Sequence, residues 1–414
     1  MNILFLAPRL PVPADTGGQI RTLNILRQMS RFADIHLASF SFDPEDALHV
    51  DGLYPGIVGH TLVPLAEPGL LKKVVAVALD RRPFAMGKYI ARAMTEQLQQ
   101  LRQRWDFDAV HVDHLHMAHY QALFPDKTCA LDEHNIEHKI LERCVPVEPN
   151  VAKRLAFRWE ARKMRRYEAA LAKRFDACLT VSEEDGRELT AMVDGQCSVH
   201  VIPNGVDTRY FDAESLDGDA APEEALVFTG SMDWLPNVDA VQFFCRDVLP
   251  RVRQARPRVR FYVVGTNPPA EITAIGRRDP RVVVTGRVDD VRPYVRNAAV
   301  FVVPIRVGGG TRLKILEAMA MQKAVVSTTL GAEGIRHTAG ENIVIADEPA
   351  AFANQVIALL DRPQQARELG RKGRRLVLDA YDWDIIGRQL ESLWREPISS
   401  PGQTSSLRVR AIHP

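Results

Sequence analysis

Val307-Gly308-Gly309-Gly310-Thr311-Arg312-Leu313-Lys314-Ile315-Leu316-Glu317-Ala318-Met319-Ala320 follows an apolar run that ends at Pro304. Read as a strand, a glycine loop and then a helix over 311–321, this stretch sets the fold. Open α/β sheets bind ligands outside the carboxyl ends of their strands, and this loop falls at such an end. Glycines let backbone amides approach a ligand closely, and the helix start adds positive dipole. Thr311 is placed to cap the helix. Arg312 and Lys314 supply charge for a diphosphate, and Gly309, Gly310 and Thr311 supply close backbone. Lys314 and Glu317 are three apart, so they share one helix face, while Leu313, Leu316 and Ala320 face inward. A carboxylate beside a diphosphate is costly unless it has another task, and accepting ribose hydroxyls is one. A glycine loop with a solvated Lys–Glu pair is the plainer alternative.

The same unit recurs outward from there. Short apolar runs at 2–7, 35–40, 109–112, 129–131 and 178–181 predict buried strands, with helices between several of them, such as 19–31 and 89–104. A second series follows, with strands at 225–229, 259–264, 282–285, 300–303 and 324–327 and helices at 237–254, 291–297 and 349–361. The fold class is α/β: two Rossmann-like, doubly wound parallel-sheet domains facing a cleft. Residues 1–205 form the N-terminal domain and 225–380 the second. The acidic stretch 206–224 is the hinge, 381–396 a last helix and 397–414 a flexible tail.

Composition agrees. The chain has 414 residues, 46% apolar and 25% charged, with 53 basic against 52 acidic groups. A disordered chain and a basic nucleic-acid sleeve are excluded, so no nucleic-acid partner is expected. Five scattered cysteines without a Cys-x-x-Cys pair fit a reducing compartment. The apolar start lacks a basic leader and reads as a strand rather than a secretory signal. No uncharged apolar stretch reaches membrane-spanning length.

Further turns repeat the ligand-binding pattern. Gly17 and Gly18 precede a helix from about residue 19, and Gly230 and Ser231 follow the strand at 225–229. Either pair could hold phosphate or sugar hydroxyls, or be a simple turn. The loop Thr328-Thr329-Leu330-Gly331-Ala332-Glu333-Gly334 is expected beside the 307–312 loop, where Glu333 could meet a sugar hydroxyl.

These residues resemble the family 4 retaining glycosyltransferases, which have the GT-B architecture. The second half carries the resemblance in Phe228-Thr229-Gly230-Ser231, Pro236-Asn237, Val264-Gly265, Gly286-Arg287-Val288, the 308–320 run and Gly331-Ala332-Glu333-Gly334. The first half adds Gly17-Gly18, Asp132-Glu133-His134-Asn135 and Pro203-Asn204-Gly205-Val206-Asp207. The pattern is most like exopolysaccharide-type sugar transferases and covers about residues 1–396. It implies a nucleotide diphosphate sugar as donor, bound mainly to the second domain, with Glu317 on the ribose. Gly286, Arg287 and Val288 match a loop that touches the base. Gly309 stands where the family's Glu-x7-Glu motif has its first Glu, so the motif is broken. The Gly308–Gly310 amides or Glu333 are the substitutes. The resemblance also implies retention by front-face attack, with no metal or other cofactor. It puts His134 beside the reacting sugar as a hydrogen-bonding group, so His134, Arg312 and Lys314 are the catalytic candidates.

The other histidines weigh against a metal. His111, His114, His116 and His119 end a strand, and alternation sends their side chains to different faces. The stretch 151–175 sets Leu155, Trp159, Tyr167, Leu171 and Phe175 among nine Lys and Arg. It is either a solvated helix or a strip for an anionic membrane carrying a lipid-linked or glycan acceptor. The segment 70–94 adds six basic groups. The expected place is the cytoplasm, at the inner face of the membrane. Two rivals share the architecture: a nucleotide-sugar 2-epimerase and a non-catalytic nucleotide-sugar-binding protein.

Overall fold

The computed structural model describes residues 1–14, 16–43, 45, 55–65, 82–146, 148, 150–216 and 224–396. The basic segment at 70–81, the middle of the acidic stretch at 217–223 and the tail at 397–414 lie outside the described residues. The chain divides into two compact units: Met1–Ile202 with the chain from Gly387 onward, and Pro203–Ile386.

The first unit is built on β1 (Asn2–Ala7), β2 (Asp34–Ser41), β3 (Ile57–Pro64), β4 (Ala109–Asp113), β5 (Thr128–Glu133), β6 (Ala177–Thr180) and β7 (Ser198–Val201). The sheet order is β3-β2-β1-β4-β5-β6-β7, and every pair is parallel. The chain winds outward from β1 to β3, then returns to β4 and winds the other way. That reversal opens a crevice between the carboxyl ends of β1 and β4. The second unit repeats the plan with β8 (Ala225–Thr229), β9 (Arg260–Val264), β10 (Val282–Gly286), β11 (Val300–Val303), β12 (Ala324–Ser327) and β13 (Val344–Ile345). Its order is β10-β9-β8-β11-β12-β13, with the reversal between β8 and β11. Both are Rossmann-like α/β units.

The central strands bury both faces, as parallel sheets require. Leu226, Val227 and Phe228 of β8 and Val300, Val302 and Val303 of β11 are fully buried. The strands that the apolar runs did not predict are β3, β7 and β13, all at sheet edges. β3 keeps only Val63 buried, and β7 and β13 have no fully buried residue. The predicted helix 237–254 is three pieces: Leu235–Phe243, a π-turn at Phe244–Val248 and Leu249–Ala255. Pro250 has no amide to continue the ladder, and the π-turn absorbs the gap.

Residues 203–216 pack on the second unit. Val206 N–H donates to Tyr381 O at 2.8 Å, and Thr208 Oγ1 to Asp382 Oδ2 at 2.5 Å. Gly205 is needed there, since a Cβ would sit 2.5 Å from the Trp383 ring.

Candidate functional site

In the second unit, the loops after β8 and β11 meet at Lys314, and the loop after β12 meets the glycine loop at Thr311. The helix Leu313–Ala320 buries Ile315, Leu316, Ala318, Met319 and Ala320 against the sheet. That anchorage leaves Lys314 and Glu317 on its half-buried side. The Lys314 amine donates to Asn237 Oδ1 at 2.9 Å and lies 4.0 Å from the centre of the Phe228 ring. Asn237 in turn donates from Nδ2 to Ser231 O at 2.7 Å. Ser231 Oγ reaches Asp233 Oδ1 at 2.6 Å and Thr266 Oγ1 at 2.9 Å. The room for the amine is the missing side chain of Gly230. A Cβ there would stand 2.6 Å from Lys314 Nζ, and φ is 148°.

Burial and the neighbouring Arg312 lower the Lys314 pKa to about 7, while Glu317 works against them. Burial raises Glu317 to about 7, opposed by Lys314. The Glu317 carboxylate takes no hydrogen bond or ion pair among the described residues. The ammonium and the carboxylate are therefore both held near their titration points, in a setting that favours a ligand supplying charge and hydroxyls.

The glycine loop differs from its expected form in one respect. The helix begins at Leu313, two residues later than read from sequence, and Arg312 is its N-cap with φ −88° and ψ 88°. Thr311 does not cap it; its hydroxyl is buried without a hydrogen-bond partner, 2.8 Å from where a Cβ on Gly334 would stand. The Arg312 guanidinium folds back onto the carbonyls of Gly309 and Gly310. Gly308 and Gly310 need glycine's freedom, with φ of 100° and 81°. The Gly334–Thr311 approach sets the 331–334 loop, with half-buried Glu333, against the glycine loop, as expected. Gly286 O accepts from Gly265 N at 3.3 Å, and Gly265 packs on Gly230. Val288 packs on the core, while Arg287 is exposed and joins none of these contacts among the described residues.

In the first unit, Gly17 and Gly18 are the first turn of the helix Gly17–Met29, capped by Thr16, rather than a loop before it. Gly18 covers a polar cluster at the carboxyl ends of β4 and β5, its Cβ position 3.7 Å from His114 and 3.8 Å from His134. His134 is 6% exposed, and its Nε2 pairs with Asp113 Oδ1 at 2.7 Å. Thr22 Oγ1 donates to Asp113 Oδ2 at 2.9 Å. Behind them Arg21 and Asp132 form an ion pair at 2.7 Å, 1% and 0% exposed. Burial pushes His134 down to about 3, so its imidazole is neutral at pH 7. Two sets of groups bring cation-ligand atoms within 4.8 Å: Asp113, His114 and His134, and His114, His116 and Glu137.

The two halves match two family models. One, described as Glycosyltransferase Family 4, matches residues 16–210, and one described as Glycosyl transferases group 1 matches residues 223–362. The chain belongs to the family 4 glycosyltransferases. A phosphatidyl-myo-inositol mannosyltransferase of Mycobacterium tuberculosis is 30% identical over 211 residues, 49% of this chain and 54% of that one. The chain thus spans about half the length of the curated relatives it matches. Sucrose-phosphate synthase from Thermosynechococcus elongatus shares the fold, with a TM-score of 0.70 at 17% identity over 95% of this chain and 98% of that one. Anabaena HepE, in complex with UDP and glucose, superposes with a TM-score of 0.65 at 14% identity over 95% and 99%. Both are likenesses of fold, here GT-B.

In this family 4 chain, Gly230, Ser231, Gly309, Gly310, Thr311, Arg312 and Glu333 lie on three adjoining loops, with Lys314 and Glu317 on the helix Leu313–Ala320. Sequence reasoning missed Asn237 and Phe228, which hold Lys314. The Pro236-Asn237 pair at a helix start was the available signal. It also missed Arg21, Asp132 and the orienting of His134 by Asp113, because their partners lie 111 and 21 residues apart.

Proposed function

We propose that this protein is a retaining glycosyltransferase that moves a sugar from a nucleoside diphosphate sugar to a hydroxyl acceptor. The acceptor is a glycan or lipid-linked glycan in the synthesis of an exopolysaccharide or another cell-surface polymer. The observation that carries the reading is Lys314, held between Asn237 and Phe228 at the sheet reversal of a family 4 chain, with the Glu317 carboxylate, which takes no hydrogen bond among the described residues, one helical turn on. An amine there neutralises a leaving diphosphate, and the carboxylate suits ribose hydroxyls.

Cleavage of the sugar–phosphate bond builds negative charge on the diphosphate and positive charge on the ring. In this reading Lys314, Arg312 and the amides of Gly309, Gly310 and Thr311 take the first. Arg312 turns from its loop carbonyls to the phosphate. The acceptor hydroxyl attacks from the face the diphosphate leaves, and a phosphate oxygen takes its proton. His134 is a hydrogen-bond partner of the transferred sugar. No metal enters these steps. Gly286, Arg287 and Val288 are assigned to the base, and Gly17, Gly18, Gly230, Ser231 and Glu333 to sugar or phosphate.

The helix Val151–Ala172 supports work at a membrane surface. Val151, Leu155 and Trp159, spaced four apart, are 63%, 58% and 56% exposed among Lys153, Arg154, Arg158 and Arg162. Such a face suits an anionic interface, here assigned to the cytoplasmic side of the inner membrane. Among the described residues no helix is long and apolar enough to cross a membrane. The mannosyltransferase relative, named for a lipid acceptor, fits the same placement.

The deciding experiment incubates the protein with radiolabelled nucleotide sugars, with and without membrane extract. Label entering lipid or polymer is expected. Epimerised free donor would move the assignment to a 2-epimerase. Binding without turnover would favour a nucleotide-sugar-binding protein, which Gly309 in place of the family's Glu also suits.

A further inference from the structure

We propose that His114, His116 and Glu137 form a site for one divalent first-row transition metal, with zinc as the best-matched ion. The site lies on the first unit and goes beyond the transfer reaction proposed above, which draws on no metal.

Strand alternation argued from sequence that these histidines diverge, and the backbone cancels that argument. β4 stops at Asp113, and His114 has φ 68° and ψ 145°. That backbone region is costly for a residue with a side chain, and such outliers cluster at functional sites. The turn ends the alternation and starts the 3-10 segment Leu115–Leu123. His114 and His116 are thereby brought to Glu137 in the first turn of the helix Glu137–Cys144, their ligand atoms within 4.8 Å.

Ring contacts hold the imidazoles, and His114 Nε2 lies 3.8 Å from Asp113 Oδ2, beyond hydrogen-bond reach. His114 lies against His134 with centroids 3.5 Å apart and the rings tilted by 38°, and His116 meets the Tyr89 ring edge at 4.8 Å. His116 Nδ1 is buried without a hydrogen-bond partner. The Glu137 carboxylate makes no hydrogen bond among the described residues, while its own backbone N–H is fixed by Glu168 Oε1 at 2.7 Å. All three residues are half-buried, so an ion can enter from solvent and still shed most of its water. Two imidazoles and one carboxylate leave a fourth position of a tetrahedral zinc open to water or a hydroxyl.

The neighbouring set, Asp113, His114 and His134, is the poorer host. Asp113 already accepts from Thr22 and pairs with His134, and the buried Arg21 guanidinium stands behind on Asp132. A dication there would displace two hydrogen bonds and face a fixed positive charge.

The test uses the full chain, free of any histidine tag and stripped of metal. Co2+ is titrated while its visible d–d absorption is followed, and Zn2+ is then added to displace it. One tightly bound ion per chain is expected. Glu137→Gln keeps shape and volume, and His116→Ala removes one ring; each should weaken Co2+ by about tenfold or more. His119→Ala should change nothing, and Asp113→Asn, 3.8 Å from His114 Nε2, should cost less than either ligand variant. Circular dichroism confirms the fold of each variant. No saturable Co2+ spectrum overturns the proposal. So does a spectrum unmoved by Glu137→Gln, or one abolished by Asp113→Asn but not by His116→Ala.

Discussion

The amine of Lys314 stands 2.9 Å from the side-chain oxygen of Asn237, so the helix after β11 is tied to the helix after β8. The pH dependence of donor binding follows from this contact. Burial and Arg312 hold Lys314 near pKa 7, and a bound diphosphate favours its charged form. Affinity for a nucleotide sugar, whose diphosphate bridge does not titrate here, should be level below pH 6. It should fall by up to tenfold per unit as pH rises through about 7. Lys314→Arg should flatten the profile. Isothermal titration from about pH 5.5 to 9 measures it, and a level wild-type curve would remove Lys314 from the diphosphate. Stability runs the other way. The unfolded lysine holds its proton to about pH 10.4 and the folded one only to about 7, so Lys314 adds stability as pH rises between them.

Gly230→Ala should raise the donor KM with the fold retained. Its Cβ would push the Lys314 amine, the movable end of a side chain, and the φ of 148° adds about 1–3 kcal/mol of strain. Gly265→Ala is the contrast, because its Cβ would land 1.8 Å from the backbone oxygen of Gly230. Thermal melts should show a far larger loss for Gly265→Ala. Equal losses would mean that the turn after β8 is not where Lys314 is held.

Glu317→Ala and Arg312→Ala should each remove most transfer activity with an unchanged fold. Near-normal rates in both would discard the donor-site assignment. Glu317→Gln separates function from stability. Folded Glu317 binds its proton up to about pH 7 and the unfolded residue only to about 4.5, so the carboxylate costs stability as pH rises through that window. The variant should gain on the order of 1 kcal/mol over wild type at pH 8 and nothing at pH 4. Urea melts at the two pH values report the difference.

Leu155→Glu and Trp159→Glu should each weaken binding to vesicles rich in anionic lipid by about tenfold or more without lowering the Tm, since both side chains are already exposed. Co-sedimentation reads the first effect and calorimetry the second. Retained binding would leave the helix as a solvated face.

Arg21→Met should cost about 3–5 kcal/mol, because it strands the Asp132 carboxylate, 0% exposed, without its partner. Pairing it with Asp132→Leu should recover most of that loss. A double variant as unstable as the single one would show that the pair does more than neutralise itself.

The sequence by itself determined the central strands of the two sheets and the glycine-loop stretch after β11. β1, β8, β11 and β12 are apolar runs bounded by turn residues, and the glycine, basic and acidic residues of the 308–317 stretch are local in the chain. Periodicity and local turn chemistry suffice for such features. The edge strands β3, β7 and β13 escaped because half-exposed strands carry no continuous apolar run. The tertiary structure alone decided which side chains share a site. Asn237 and Phe228 reach Lys314 across 77 and 86 residues, and Asp113 finds His134 across 21. His114 turns toward Glu137 only because its backbone leaves the strand at a φ of 68°. Such pairings depend on strand order and on a single dihedral set by packing, and neither has a periodic signature along the chain.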